Sequence, residues 1–224
     1  GLHILATSRE ALRTAEEYVQ PLAPLESPPL GSHLRLAAAL RYPAVKLFVR
    51  RARARQADFH LLESDVPRVA ELCWRLDGLP LAIELAAAQL DVQSLDGILA
   101  QLDNHSYLSL LGRRSTPARH ASLLASLEWS YALLSAEQRR CLQGLARCDV
   151  YFTVADAQQA LADVQVSDTG RCAAVARLVA LSLIGLRRDG ELVYYHMLGC
   201  TRAFARQKAR EAALASAWDT PALA

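Results

Sequence analysis

Leu76-Asp77-Gly78-Leu79-Pro80-Leu81-Ala82-Ile83-Glu84-Leu85-Ala86 is the stretch that decides the fold. Ahead of it, Val66, Val69, Leu72, Cys73 and Leu76 recur at helical spacing, with Ser64 or Asp65 as the cap. Gly78 closes that helix, since glycine takes the left-handed backbone of a helix end without strain. Pro80 opens the next one, at a position where a missing N–H leaves nothing unsatisfied. Leu81 to Leu90 then carries little polar surface besides Glu84 and Gln89, as the buried central helix of a bundle would.

Outward from there, the helical pattern runs from Ser32 to about Asp103. His33 to Arg41 makes a short first helix. Pro43 starts a second, with Val45, Leu47, Phe48 and Ala52 on one face. Ser94 caps a fifth that reaches Leu102. Upstream, Leu2-His3-Ile4-Leu5-Ala6-Thr7 reads as a short buried parallel strand, Ser8 as the cap of a short helix, and Tyr18 to Pro21 as a further strand. Pro21, Pro24, Pro28 and Pro29 make an extended connector to about Gly31. A buried parallel strand needs neighbours on both sides, so the first 30 residues read as the edge of a larger α/β domain.

Downstream, the polar link Gly112-Arg113-Arg114-Ser115-Thr116-Pro117 marks a domain boundary. A helix from about His120 to Leu134 follows, then one from Ser135 with a Ser-Ala-Glu-Gln capping box. A third begins at Thr153 and a fourth spans about Thr169 to Leu181. Leu183 to Arg187, Asp189-Gly190 and Leu192 to His196 form a hairpin, and a last helix runs from Leu198 to about Ala215. Helices followed by a hairpin make a winged-helix order. The expected divisions are 1–31, 32–112, 113–215 and a tail, 216–224.

Composition narrows the function classes. The chain has 224 residues, 52% hydrophobic and 21% charged, which is the composition of a core-forming protein. A net charge of +2 is too small for a bulk attraction to nucleic acid. Charges interrupt every apolar run before the roughly 18 residues that span a bilayer, and no secretory signal opens the chain. Five cysteines without a Cys-x-x-Cys pair suit a reducing cytosol. The single methionine is Met197, so the chain is expected to be a piece of a longer protein or a processed one. Its two lysines, Lys46 and Lys208, lie outside any Gly-Lys-Ser/Thr context, which rules out a phosphate-cradling Walker A loop here.

Five segments in order resemble one family. They are Ile4-Leu5-Ala6-Thr7-Ser8-Arg9-Glu10, Ala44-Val45-Lys46-Leu47-Phe48, Leu76 to Ala86, His120-Ala121-Ser122-Leu123 through Trp129-Ser130-Tyr131, and Tyr195-His196-Met197-Leu198. Together they look like the STAND, or NB-ARC-like, nucleotide-switch ATPases, in particular the ATPase modules of large bacterial transcriptional regulators. The resemblance implies a mainly α chain: the remnant edge of a P-loop α/β domain, a helical bundle, then a winged-helix domain with one β-hairpin. It implies ATP or ADP with Mg²⁺ as the ligand of the intact parent. The P-loop half, an effector domain that binds DNA and a sensor domain would be partners in the same parent.

Site residues follow from the same resemblance. Arg9 matches a sensor arginine that approaches the γ-phosphate; on the residues alone it is a surface arginine paired with Glu10 or Glu16. Gly78, Leu79 and Pro80 match the loop whose proline packs on adenine, and the same residues are also a helix cap followed by a helix start. His196 matches the histidine that meets the β-phosphate, where it would stay protonated. Tyr195, Met197 and Gly199 depart from that motif, which keeps an ordinary strand-end histidine as the alternative. No catalytic constellation and no metal-ligand spacing occurs.

Two function classes remain. One is the nucleotide-sensing lid of a cytoplasmic ADP/ATP-gated switch, not competent for hydrolysis alone. The other is a stand-alone helical and winged-helix adaptor that binds protein or DNA. Arg50, Arg51, Arg53 and Arg55 read as a solvated helix face. From Arg119 onward 12 basic residues face 10 acidic ones, and the recognition-helix position offers only Arg171 and Arg177, so direct DNA binding is not expected. Micromolar affinity needs about 8 kcal/mol, and two charged contacts at about 1.5–3 kcal/mol each fall short. Tight nucleotide binding by this chain alone is therefore not expected.

Overall fold

The computed structural model describes residues 3–8, 11–103, 123–190 and 192–218. The chain is mainly helical, with one three-stranded antiparallel sheet among the described residues. It divides into two compact units, Leu22–Trp129 and Ser130–Ala224 with Gly1–Pro21. No helix among the described residues is long and apolar enough to cross a membrane.

In the first unit, α1 (Leu36–Ala39), α2 (Pro43–Arg55), α3 (Val66–Arg75), α4 (Pro80–Ala88) and α5 (Leu95–Asp103) follow in turn. Pro43 and Pro80 each stand in a first turn, and Ser94 Oγ accepts from the Gly97 N–H at 3.2 Å to cap α5. Helix α4 buries Ala82, Ile83, Leu85, Ala86 and Ala87, and α2 packs along it with Ala44, Val45, Phe48, Val49 and Ala52. Each large apolar side chain so buried contributes about 1.5–3 kcal/mol. That burial makes α4 the centre of the bundle.

The end of α3 differs from the sequence expectation in one residue. Asp77, not Gly78, takes the first left-handed position (φ 54°), and its N–H reaches the Trp74 carbonyl at 3.0 Å. Gly78 is left-handed too (φ 63°) and donates to the Cys73 carbonyl at 3.1 Å, completing a Schellman pair.

The expected strand at residues 2–7 is corrected. Residues 3–8 form no strand, and Ile4 and Leu5 are 81% and 98% exposed. A parallel strand is stable only with ladder partners and covered faces, and nothing in the described chain supplies them. Tyr18 to Pro21 forms no strand either, and residues 11–20 form no helix after Ser8. The proline connector instead docks on the bundle. The Leu25 N–H donates to the Gly78 carbonyl at 2.9 Å, Ala44 N–H to Glu26 O at 3.2 Å, and Ser27 Oγ to Cys73 O at 3.2 Å.

Helix α6 (Leu123–Ala132) precedes the second unit's own elements: α7 (Ala136–Leu145), β1 (Tyr151–Thr153), α8 (Val154–Ala160), α9 (Asp168–Ala180), β2 (Gly185–Asp189), β3 (Leu192–His196) and α10 (Gly199–Trp218). Ser135 with Gln138 and Thr153 with Asp156 form reciprocal capping boxes, and Ser167 caps α9. The core gathers Leu142, Leu145, Leu178, Leu181, Ile184, Met197 and Phe204. The sheet order is β1-β3-β2, so β3 lies in the middle, with Tyr151 and Gly185 both opposite His196. The hairpin turns one residue later than expected, because Asp189 still pairs with Leu192 and Gly190 (φ 58°) leads the turn. The polar link at 112–117 lies outside the described residues.

Candidate functional site

At the junction of α3 and α4, Gly78 is buried, Leu79 half-buried and Pro80 exposed. A Cβ on Gly78 would come within 2.0 Å of the Leu25 carbonyl oxygen, so the chain's own connector takes up the close backbone approach that glycine permits. Leu79 is the N-cap of α4, and its carbonyl accepts from Ile83 N–H at 3.0 Å. Of the three expected binding residues here, Pro80 alone offers an open face.

His196 stands in the other unit, at the end of β3. Its ring is stacked with Tyr151, centroids 5.9 Å apart and 25° between planes. On the far side it lies against Gly185, where an added Cβ would meet Nδ1 at 2.1 Å and Cε1 at 2.0 Å. The Arg187 guanidinium reaches to 6.0 Å from the Tyr151 ring centroid, and among the described residues it pairs with no carboxylate. Pleat alternation places Tyr151, Tyr194, His196, Gly185 and Arg187 on one face and Phe152 with Tyr195 on the other, where Phe152 is buried.

Burial lowers the pKa of His196 below the ordinary imidazole value of 6.5, and the positive charge of Arg187 lowers it further. The Gly185 backbone acts the other way, yet no hydrogen bond of good geometry closes on the buried Nδ1. Burial and Arg187 thus both favour the neutral ring. The expected protonated state would require an added negative charge. The stability consequence has a definite sign. The unfolded chain binds the proton more readily, so stability rises with pH up to about 6.5 and is lost as pH falls through the lower folded value. Chemical denaturation of the His196→Gln variant should show a flatter pH profile than the unmodified chain in that acid window. Parallel profiles would mean that the imidazole titrates normally.

Arg9 lies outside the described residues. The basic run on α2 is largely engaged: Arg51 meets Glu84 at 2.6 Å, Arg55 meets Asp91, and Arg53 Nε donates to Phe59 O at 3.4 Å. On α9, Arg171 donates to the Ala162 and Val164 carbonyls at 3.1 and 3.0 Å and to Asp168 at 3.2 Å. That guanidinium holds the loop ahead of α9, so it is not offered outward to a phosphate backbone. Cys73, Cys141 and Cys200 are buried, and burial pushes the Cys73 thiol up to about 12.

No protein-family model matches the chain. Similarity to curated proteins covers almost all of it. An uncharacterized protein of Mycobacterium tuberculosis is 33% identical over 217 residues, 96% of this chain and 52% of the relative. A protein of the same organism named a putative HTH-type transcriptional regulator is 30% identical over 207 residues, 92% of this chain and 22% of the relative. A Mycobacterium bovis counterpart of the latter matches equally. The chain thus spans about half the length of the first and about a fifth of the second.

Sequence reasoning missed Tyr151, Gly185 and Arg187. Strand β1 is three residues long, too short to show alternation. Gly185 did carry a signal. A glycine inside an otherwise apolar run, between Ile184 and Leu186, marks a close approach, and pairing Asp189 with Leu192 sets it opposite His196.

Proposed function

We propose that this chain is the nucleotide-sensing lid of an ADP/ATP-gated regulator whose P-loop half lies elsewhere in the same protein. The observation that carries the reading is the His196 imidazole, set between Tyr151 and Gly185 beside a cationic Arg187, with no side chain among the described residues bonded to its buried Nδ1. A phosphate would complete that set: its charge favours the protonated ring and its oxygens accept from it. Pro80, exposed at the start of α4, would pack on adenine, with Leu79 beside it and Gly78 setting the corner. Arg9 would approach the γ-phosphate.

Relatives named putative HTH-type transcriptional regulators support a regulatory role; in this reading the parent works in the cytoplasm and an effector domain outside this chain reads the DNA. The inward commitment of Arg171 favours that reading over a DNA-binding adaptor. Hydrolysis would require the P-loop backbone, its lysine and Mg²⁺, none of which these residues supply. The lid instead biases a closed, ADP-bound state against an open one.

The test is nucleotide affinity in the intact protein. Pro80→Ala and His196→Gln are each expected to weaken ADP about tenfold, which is about 1.4 kcal/mol. Unchanged ADP affinity in both variants would end the proposal. By itself the chain should show no calorimetric ADP binding tighter than roughly millimolar.

A further inference from the structure

We propose that Arg187 is a second phosphoryl-anion residue of this lid, with Tyr151 and Gly185 as the positioning residues that hold His196 beside it. The inference rests on the lid reading above and adds residues that the resemblance did not name. Arg187 and Gly185 are two residues apart on β2, hence on one face, and Gly185 faces His196 across the ladder. From β1, Tyr151 faces His196 on the other side, and the Arg187 guanidinium extends to within 6.0 Å of the Tyr151 ring. The imidazole therefore lies between an aromatic wall and a glycine floor, with an exposed cation on the same face.

The groups around it leave one charge unanswered. Tyr151 and Tyr194 bring phenol rings to this face and no carboxylate. The Asp156 carboxylate of α8 is engaged by the Thr153 N–H and hydroxyl, both at 2.8 Å. Arg187 is the one charged group among the described residues that bears on the ring, and it repels the proton. A phosphoryl anion seated between Arg187 and His196 reverses this: it forks onto the guanidinium and draws a proton onto the imidazole. Anion binding at this face is thus accompanied by proton uptake, and Arg187 is the residue that captures the anion.

Inorganic pyrophosphate tests the face without an adenine. Histidine side-chain NMR of the 224-residue chain is followed against pH, with and without millimolar pyrophosphate, at ionic strength matched with sodium chloride. The expected result is a raised His196 pKa in the unmodified chain and at least a tenfold weaker effect in Arg187→Gln. Arg187 is exposed, so its substitution leaves the core untouched. Gly185→Ala, which displaces the ring, should lose the effect as well while the sheet remains folded by circular dichroism. No pyrophosphate-dependent shift in the unmodified chain, or an equal shift in Arg187→Gln, overturns the assignment. A failed lid reading looks different: pyrophosphate would still act here, while Pro80→Ala would leave ADP affinity of the intact protein unchanged.

Discussion

Gly78→Ala is expected to cost the Leu22–Trp129 unit about 3 kcal/mol or more, a large share of the roughly 5–15 kcal/mol that holds a domain folded. Two penalties add. An alanine at φ 63° occupies the left-handed region, at about 1–2 kcal/mol. Its Cβ would also press to 2.0 Å from the Leu25 carbonyl oxygen, a backbone atom that no rotamer change can move aside. The connector must lift, which breaks the Leu25 N–H to Gly78 O bond (about 1 kcal/mol) and uncovers Pro28, now buried. Denaturant titration measures the loss, and hydrogen exchange at Leu25 should accelerate with it. A loss under about 1 kcal/mol would show that the connector yields freely.

Phe204→Ala is expected to cost about 3–5 kcal/mol in the other unit. Phe204 is fully buried and meets the Tyr131 ring edge-on, centroids 5.4 Å apart at 83°. Two residues on, Arg206 Nε donates to the Ala146 carbonyl at 2.8 Å, so α10 is pinned to the end of α7 where the cavity would open. A pinned helix collapses poorly onto a void, which keeps the cost near the top of the range. Phe204→Leu, which leaves less empty volume, should cost distinctly less. Equal midpoints for the alanine variant and the unmodified chain in denaturant would contradict the packing described for α10.

Much of the fold was legible because its signals are local. Ser135, Ser94 and Thr153 cap the helices expected of them, through hydrogen bonds that span three residues. The near-apolar run after Pro80 is the buried centre of the bundle, as composition alone requires. The strand expected at residues 2–7 fails for the opposite reason. Its apolar residues read as buried, but burial depends on neighbours that a local pattern cannot supply, and Leu5 stands in solvent.

The site was legible in part. Pro80 and His196 were visible through a resemblance, and the structure shows one as an open ring and the other as a constrained imidazole. Gly78 is legible in the sequence as a helix end, but the atom its missing Cβ makes room for is Leu25 O, 53 positions away in sequence and invisible to any local pattern. Arg187 and Tyr151 join His196 through strand pairing, which no spacing along the chain encodes.

The connector has a mechanical consequence. Tension applied to the chain ahead of Leu22 reaches the bundle through Leu25, Glu26 and Ser27, whose bonds end on Gly78, Ala44 and Cys73. The load falls across the end of α3 and the first turns of α2 and α4. Pro80 is two residues from the bond that carries it. A tug on the leading segment is therefore felt at once by all three elements, through Gly78, Cys73 and Ala44, and the exposed proline ring lies two residues from the first of these.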